Sequence, residues 1–438
     1  ARPLGDKGLG HGAAAAAAAL TSATTFKTHD VRHSSMRRAL AHAAVIEGRV
    51  PISSAAGVAV AVLLGACAWW WRRCSLGLEH KCVPLMKERP CSGQKVTWAI
   101  GSAAGSMQAP LRVYADPQLF AGHKKRGYHP ENQSRVEAVV ANLRNSDIAG
   151  TLDWQEPPLD EFALATARAA AVLAHSESYV ASIEDASSQL LQSPGTDASL
   201  GNETYITNET YSVLLAAMSA WLAAAQYALE ARTPAFALSR PPGHHATRTQ
   251  PMGFCIFNFG AATALWLLKH DPCVNKIAIL DWDVHLGNGL VDILKDEPRV
   301  RYVSLHQVPC YPYQGEELGE VGPHQNCRNV PVLAGTRWQG GYKPWYKELF
   351  MTHALPFLSD EADSWGRPDI VIVCAGYDAC TADEMADVML QPQDFGEMAA
   401  ELRRHLGPDV PICLGLEGGY ELDSTAAAVI ATIEGLAL

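Results

Sequence analysis

The chain has no Cys-x-x-Cys pair, although it contains 11 cysteines among its 438 residues. This absence excludes the usual zinc-finger and dithiol redox motifs, because both need closely spaced thiols. Seven of the cysteines lie after residue 250, mostly within apolar segments, where a buried free thiol is the expected state. The cysteine pattern therefore favours a reducing compartment.

Lys and Arg are scarce in most of the chain. Residues 101–438 contain 22 of them against 41 Asp and Glu, whereas residues 1–100 contain 13 against 5. The acidic part is poorly suited to binding phosphate backbones, so we expect no direct nucleic-acid binding. It is compatible with a cationic substrate. The hydrophobic content of 48% permits a sizeable core and excludes a disordered protein.

The first part of the chain is predicted to be an extension of three segments. Residues 1–50 are basic and rich in Ala and Ser, which is typical of an organelle-targeting segment and equally of an unstructured tail. Residues 51–73 form a candidate transmembrane helix, because 51–71 carry no charge and could cross ~30 Å of hydrocarbon. A helix packed on protein and a removed signal segment are the alternatives. Residues 74–110 contain several turn formers and indicate a linker.

The extension bears on where the protein works. Membrane anchoring through 51–71, or organelle targeting through 1–50, favours a membrane-associated or organellar location. The cytoplasm or nucleus is the alternative.

The remaining residues, 111–438, are predicted to form one α/β domain. The predicted strands are 235–238, 276–280, 300–305, 370–374 and 412–416. The predicted helices are 137–143, 162–173, 213–230, 261–269, 345–357, 394–406 and 424–436. Strands that are apolar on both faces and alternate with helices predict a mostly parallel sheet flanked by helices.

Polar residues follow four of these strands. Arg240 to His245 come after the first, Asp281, Asp283 and His285 after the second, Asp378 after the fourth and Tyr420 after the fifth. Each residue alone could be a cap or a turn residue, and Asp-x-Asp could also suit a magnesium phosphoryl-transfer site. Because the carboxyl ends of parallel strands meet at one edge, the coincidence of all four favours a metal-dependent hydrolase.

These motifs resemble the histone deacetylase superfamily, which includes acetylpolyamine amidohydrolases and acetoin-utilisation proteins. The resemblance covers roughly residues 111–438. It rests on His129-Pro130-Glu131, residues 240–246, Gly253-Phe254-Cys255, Phe257-Asn258, residues 281–289, Ser304-Leu305-His306, Asp378 and residues 417–420. Residues 202–211 are more similar to class II-type members than to class I. The resemblance implies an arginase/deacetylase-like α/β fold.

The resemblance also implies two metal ions. A catalytic Zn²⁺ would be bound by Asp283, His285 and Asp378. Two carboxylates and one imidazole leave the metal open to a water and a substrate carbonyl, and zinc lowers the pKa of such a water toward ~7. A structural K⁺ would be bound by the side chains of Asp281 and Ser304 and by the carbonyls of Asp283, His285 and Leu305.

Five catalytic residues follow from the same resemblance. His244 and His245 match the paired histidines, of which one is the general base and the other assists protonation of the leaving amine. Which histidine has which role is left open. Asp281 would bind His244, and Asn288 would bind His245. Tyr420 would donate its hydroxyl to the acetyl oxygen and stabilise the oxyanion.

A substrate channel is implied as well. Phe254 and Tyr311 match its aromatic walls, which hold the methylenes of acetyl-lysine. Gly253, Gly418 and Gly419 would line the same channel.

Three positions depart from the superfamily pattern. Leu286 stands where most members have a second His, and this removes a polar group next to a proposed ligand. Phe259 stands where a small or polar residue is usual, and Cys380 where class II-like members commonly have His. None of the three is a proposed zinc ligand, so we still expect activity.

The expected function is zinc-dependent hydrolysis that removes an acetyl or similar acyl group from lysine side chains of proteins. An acetylpolyamine or other small-amide deacetylase is one alternative. A catalytically weakened, membrane-tethered scaffold is the other.

Overall fold

The computed structural model describes residues 109–193, 195–340, 343–359 and 364–437. The basic segment 1–50, the candidate transmembrane helix 51–73 and nearly all of the linker 74–110 lie outside these residues, and they stay predictions. Of the described helices, only Thr210–Ala231 has the length and apolarity of a membrane span, and 72% of its most apolar window is buried inside the protein. Such burial is typical of a core helix.

Eleven strands occur in the described residues. They are β1 Arg112–Tyr114, β2 Asp153–Gln155, β3 Asp197–Gly201, β4 Thr204–Thr207, β5 Ala235–Ala237, β6 Ile277–Asp281, β7 Val300–Val308, β8 Gly319–Val321, β9 Cys327–Leu333, β10 Ile370–Ala375 and β11 Ile412–Leu416. Nine of them form one sheet in the order β2-β1-β5-β11-β10-β6-β7-β9-β8, while β3 and β4 pair separately. Within the nine-stranded sheet all neighbours are parallel except β8 and β9. The predicted mostly parallel sheet is confirmed.

Helices flank this sheet. They are α1 Pro117–Phe120, α2 Ser134–Asn145, α3 Glu161–Ala174, α4 Glu177–Gln189, α5 Thr210–Ala231, α6 Phe259–His270, α7 Asn288–Leu294, α8 Tyr346–Leu349, α9 Leu355–Leu358, α10 Pro392–Leu406 and α11 Leu422–Leu436. Short 3-10 turns lie at Ala149–Thr151 and Leu190–Gln192, and a π-helical turn at Phe350–Ala354 separates α8 from α9.

The central strands have the composition that parallel strands require. Every residue of β6, β10 and β11 is buried, and β-branched and other apolar side chains fill both faces. Helix α5 packs nearby, where the indole nitrogen of Trp221 donates to the hydroxyl of Ser239 at 3.1 Å. Trp221 also stacks on Phe259 at the start of α6, with ring centroids 6.0 Å apart.

The structure differs from the sequence predictions in two respects. The predicted helix 345–357 is split by the π-helical turn, and Pro356 lies in the first turn of α9. Proline has no N–H and cannot continue the α-helical ladder from the preceding turn. Strands β1, β2, β3, β4, β8 and β9 were not predicted. Most of them are short, with three residues in β1, β2 and β8, so hydrophobic periodicity gives little signal.

The sheet order brings four polar loops together. Strands β5, β11, β10 and β6 are consecutive neighbours and run parallel. Their carboxyl ends therefore lie at one edge, as predicted from the motifs that follow them.

Candidate active site

Three side chains converge beyond the ends of β6 and β10. His285 Nδ1 lies 3.1 Å from Asp283 Oδ1 and 3.1 Å from Asp378 Oδ2. One potential ligand atom from each residue lies within 4.8 Å of the other two, and all three residues are buried. The sequence predicted this set of three, and the fold brings them together from strand ends far apart in the chain.

Backbone groups hold the two carboxylates in place. The amide of Val284 donates to Asp378 Oδ1 at 2.9 Å, and the amide of Gly418 donates to Asp283 Oδ2 at 2.8 Å. A Cβ at position 418 would lie only 2.5 Å from Asp283 Oδ2. Only glycine therefore lets the backbone approach both carboxylates at this point.

The donor set suits a divalent cation. Burial and the charge of Asp283 raise the pKa of Asp378 to about 6. Burial alone would lower the pKa of His285, but Asp378 and Asp283 raise it well above its usual value. His285 thus retains a proton that a bound cation would displace, and two carboxylates with one imidazole fit zinc by donor type and number.

The adjacent histidines have different partners. His244 Nδ1 lies 3.1 Å from Asp281 Oδ2, whereas His245 Nδ1 lies 2.8 Å from Asn288 Oδ1. The two ring centroids are 4.0 Å apart. Each histidine meets the residue that the sequence assigned to it.

Their surroundings shift the two pKa values in opposite directions. Burial lowers the pKa of His244, but the carboxylates of Asp283 and Asp281 outweigh it and raise the pKa to about 10. Burial lowers the pKa of His245 well below its usual value, and the neighbouring His244 and His285 lower it further. One imidazole is therefore kept charged and the other neutral.

The residues predicted to bind potassium lie side by side. Asp281 and Ser304 are paired across β6 and β7, and Leu305 follows in β7. Asp281 Oδ2 also accepts the hydroxyl of Tyr302 at 2.9 Å, and Ser304 Oγ lies 3.0 Å from His306 Nδ1. A K⁺ at this position stays a prediction.

Aromatic rings surround the histidines. Tyr311 meets His245 edge to face at 5.1 Å, and Phe254 meets Tyr420 edge to face at 5.7 Å. Gly253 has φ +54°, and a Cβ there would lie 2.5 Å from the His245 ring and 2.9 Å from Tyr311. The glycine therefore allows the two rings to approach each other.

Phe254 itself adopts an unusual backbone conformation. Its φ is +67°, a strained value for an aromatic residue and one that is concentrated at functional sites. His129 packs edge to face on the Phe254 ring at 4.8 Å.

Tyr420 is positioned by its backbone and by a cation. Its amide donates to Asp383 Oδ2 at 2.6 Å, and the guanidinium of Arg135 lies 4.6 Å from its ring centroid. Burial raises the pKa of Tyr420 well above its usual value, although Arg135 opposes this. The phenol therefore keeps its proton at neutral pH and can donate a hydrogen bond. Gly419, with φ +113°, precedes it in the loop.

Sequence reasoning missed the role of a buried charge network behind this loop. Arg240 forms a two-point ion pair with Glu131, at 2.8 and 2.6 Å. Arg135 lies 3.4 Å from the same carboxylate, donates to the carbonyl of Gly419 at 2.6 Å and donates to the carbonyl of Glu417. Glu131 and Arg240 stood out only as parts of matching motifs. Arg135 could have indicated the network, because it is a charged residue on the apolar side of α2.

Glu417 was likewise not assigned a role. Its Oε2 accepts the amides of Gly243 and His244 at 2.6 and 3.1 Å. Burial raises the pKa of Glu417 to about 7, although the charge of His244 opposes this. The carboxyl group thus fixes the turn that carries the histidine pair.

The three departures from the superfamily pattern have different surroundings. Leu286 is buried, with 4% of its surface exposed, and lines a cavity beside Asn288. Phe259 fills the core at the start of α6, and Cys380 is buried, with its amide bonded to the carbonyl of Tyr377. None of them separates the three converging side chains.

Several known proteins are similar to this chain in sequence or structure. An uncharacterized protein of Synechocystis is 38% identical over 322 residues, which cover 72% of this chain and 96% of that protein. Histone deacetylase 10, chloroplastic, of rice is 31% identical and covers 71% of this chain and 70% of its own length. The histone deacetylase-like amidohydrolase of Pseudomonas aeruginosa is 32% identical, and the match covers 76% of this chain and 82% of that protein.

The crystal structure of the HDA15 HD domain matches with a TM-score of 0.65 and 27% identity, over 75% of this chain and 88% of that one. Residues 129–436 match the histone deacetylase domain. These matches support hydrolysis of an amide as the chemistry of the site. With this span of the domain matched and the converging residues at its strand ends, the chain belongs to the histone deacetylase family.

Proposed function

We propose that the protein is a zinc-dependent hydrolase that removes an acetyl or similar small acyl group from lysine side chains of proteins. The observation that carries the proposal is the convergence of Asp283, His285 and Asp378 beside the histidine pair and Tyr420. Amide hydrolysis needs an activated water, a proton acceptor and a donor to the acyl oxygen, and this site offers groups for all three.

Asp283, His285 and Asp378 would hold the zinc ion. When bound, zinc supplies Lewis-acid polarisation of the acyl oxygen and lowers the pKa of a water toward ~7. The amides of Val284 and Gly418 keep both carboxylates oriented for this task.

His245 is the proposed general base. Its Nδ1–H donates to Asn288 Oδ1 at 2.8 Å, which leaves the lone pair on Nε2 free to accept a proton. Its lowered pKa keeps the ring neutral at physiological pH. Asp283 and Asp281 raise the pKa of His244, so this ring keeps its proton and can assist protonation of the leaving amine.

Tyr420 is the proposed donor to the acyl oxygen. Its raised pKa keeps the hydroxyl protonated, so it can stabilise the negative charge that develops on that oxygen. Arg135 and Asp383 hold the loop that carries it.

The rings of Phe254 and Tyr311 are the proposed channel walls. They flank His245 and Tyr420, and apolar faces of this kind suit the methylenes of an acyl-lysine side chain. A K⁺ at Asp281, Ser304 and Leu305 is proposed as the second ion.

Release of acetate tests the proposal. We expect purified protein to contain about one Zn²⁺ per chain and to deacetylate an acetyl-lysine peptide in a chelator-sensitive manner. N-acetylputrescine is the comparison substrate. Faster turnover of it than of the peptide would favour a small amide, rather than a protein lysine, as the substrate. Absence of chelator-sensitive acetate release from either compound would contradict the enzyme proposal and favour a scaffold.

An organellar location is proposed as well. The rice relative above and histone deacetylase 14 of Arabidopsis, 29% identical over 358 residues, are both named chloroplastic. The composition of residues 1–50 is compatible with targeting. Microscopy of the tagged full-length protein tests the location, and membrane fractionation tests the predicted span at 51–73.

A further inference from the structure

The side-chain amide of Asn288, at the start of α7, contacts a different residue with each of its two ends. Its Oδ1 lies 2.8 Å from His245 Nδ1, and its Nδ2 donates to the thioether sulfur of Met252 at 3.2 Å. Asn288 and His245 are buried, and Met252 is half-buried. A methionine sulfur accepts hydrogen bonds weakly and has no hydrogen to donate. The nitrogen of the amide, and not its oxygen, therefore suits the end that faces Met252.

The direction of this amide decides which ring nitrogen of His245 carries the proton. With Oδ1 towards the ring, Nδ1 must donate, and Nε2 keeps its lone pair. If the amide were turned over, Nδ2 would face the ring, Nδ1 would have to accept, and the proton would lie on Nε2. A neutral ring in that second state has no lone pair on Nε2 with which to act as a base there.

The neighbouring histidine does not depend on such a choice. His244 Nδ1 lies 3.1 Å from Asp281 Oδ2, and both oxygens of a carboxylate are acceptors, so either one can receive the ring proton. The amide of Asn288 instead has one accepting end and one donating end of nearly the same shape. A second contact must select between its two directions. Among the residues that the structure describes, Met252 is the one that accepts from Nδ2.

The backbone around Met252 limits where its sulfur can lie. The amide of Met252 donates to the carbonyl of Cys255 at 3.1 Å, and the amide of Cys255 donates back at 3.0 Å. The amide of Gly253 donates to the carbonyl of Asn202 at 3.1 Å, which ties this turn to the segment between β3 and β4. A methionine side chain is flexible, so an anchored backbone helps to keep the sulfur against the amide of α7.

We propose that Met252 is a positioning residue for the general base. Its sulfur fixes the direction of the Asn288 amide, and the amide in turn fixes the proton of His245 on Nδ1. Met252 acts through Asn288 and needs no contact with the substrate for this role. The inference rests on the proposed function of His245 as the base, and it adds a residue that lies outside the motifs of the family resemblance.

Met252→Leu tests this role, because leucine has a similar volume but no acceptor. A buried N–H without an acceptor is rarer than a carbonyl without a donor, so the amide of Asn288 should turn over and move the proton of His245 to Nε2. We expect kcat to fall about 10-fold, with KM little changed and zinc retained. Met351→Leu, at an exposed methionine of the π-helical turn, is the matched control and should keep kcat.

NMR of the zinc-loaded protein with ¹⁵N-labelled histidine reads the proton position directly, because protonated and unprotonated ring nitrogens differ in chemical shift. His245→Gln identifies the signals of this ring. We expect the proton on Nδ1 in the unmodified protein and on Nε2 in Met252→Leu. This readout needs no turnover, so an inactive chain that shows the change would contradict the proposed function and keep the role of Met252. An unchanged proton position in Met252→Leu would overturn that role, even in an active protein.

The Asn288→Asp background gives an independent test. A carboxylate offers an acceptor whichever way it is turned, so Met252 has no direction to select. Measured above the acidic limbs of the pH profiles, Met252→Leu should lower kcat about 10-fold in the otherwise unmodified chain but less than ~2-fold in the Asn288→Asp background. An equal loss in both backgrounds would show that Met252 only supports the packing of its turn, and would overturn the proposal.

Discussion

The two sides of the active site treat adjacent histidines in opposite ways. On one side, His244 faces the carboxylate of Asp281, and its pKa is raised to about 10 after the carboxylates outweigh burial. On the other, His245 faces the amide of Asn288, and burial with the nearby His244 holds its pKa well below the usual value.

The carboxylates around His244 account for the contrast. Asp283 and Asp281 carry charges that compensate an imidazolium at His244, whereas the carbonyl of Asn288 orients the His245 ring without compensating a charge. Two imidazolium rings 4.0 Å apart would repel each other, so protonating one disfavours protonating the other. The pair thus separates into a cation and a neutral base.

Removing a proposed metal ligand should have the largest effect. Asp378→Ala removes one of three converging donors and leaves His285 with one carboxylate neighbour. We expect bound zinc to fall from about one per chain to near zero, with loss of acetate release. Metal analysis and the acetyl-lysine peptide assay measure both.

Asp296→Ala is the matched control, because Asp296 is an exposed aspartate near the end of α7. It should keep both zinc and activity. Full zinc content in Asp378→Ala would show that the three residues do not hold the metal.

Tyr420→Phe should have the next largest effect. The change removes the hydroxyl and keeps the ring that contacts Phe254 and Arg135. We expect kcat to fall by ~10²-fold or more, as for loss of an oxyanion donor, while zinc stays bound. The exposed Tyr313→Phe serves as the control, and turnover of Tyr420→Phe equal to that control would remove Tyr420 from the mechanism.

Asn288→Asp would abolish the difference between the two sides. A carboxylate opposite His245 should raise its pKa by about 1–3 units. The base must be neutral to accept a proton. When the pH is lowered, the variant should therefore lose activity at a higher pH than the unmodified protein does. The acidic limb of the kcat/KM profile therefore moves upward.

The exposed Asn142→Asp controls for the added charge. An acidic limb that does not move in Asn288→Asp would mean that another group is the base.

The site was more predictable from sequence than the contacts that support it. Asp283, His285, Asp378 and Tyr420 follow buried apolar strands, so their meeting point followed from the rules of parallel sheets. Arg135 contacts the carbonyl of a residue 284 positions away, and no local pattern encodes such a pairing.

The same limit applies to the fold. The central strands were predicted because each is a continuous apolar run, and β6, β10 and β11 were placed to within one residue. The three-residue strands β1 and β2 depend on pairing with neighbours rather than on their own sequence. The cavity beside Leu286 likewise depends on how distant segments pack.

Glu417→Gln tests the His244 side with the smallest expected effect on turnover. Glutamine keeps an oxygen that accepts the amides of Gly243 and His244, so activity near neutral pH should change little. Stability is the sensitive readout, because burial raises the pKa of Glu417 from 4.5 to about 7. Between these values the folded protein binds a proton that the unfolded chain releases, so rising pH costs stability on the order of 3 kcal/mol.

The variant lacks this titration. Its melting temperature should therefore decline less than that of the unmodified protein between pH 4.5 and 7, as thermal denaturation across this range would measure. Glu434→Gln, at an exposed position of α11, should retain the full decline. Parallel declines in Glu417→Gln and the unmodified protein would show that Glu417 is ionised throughout this range.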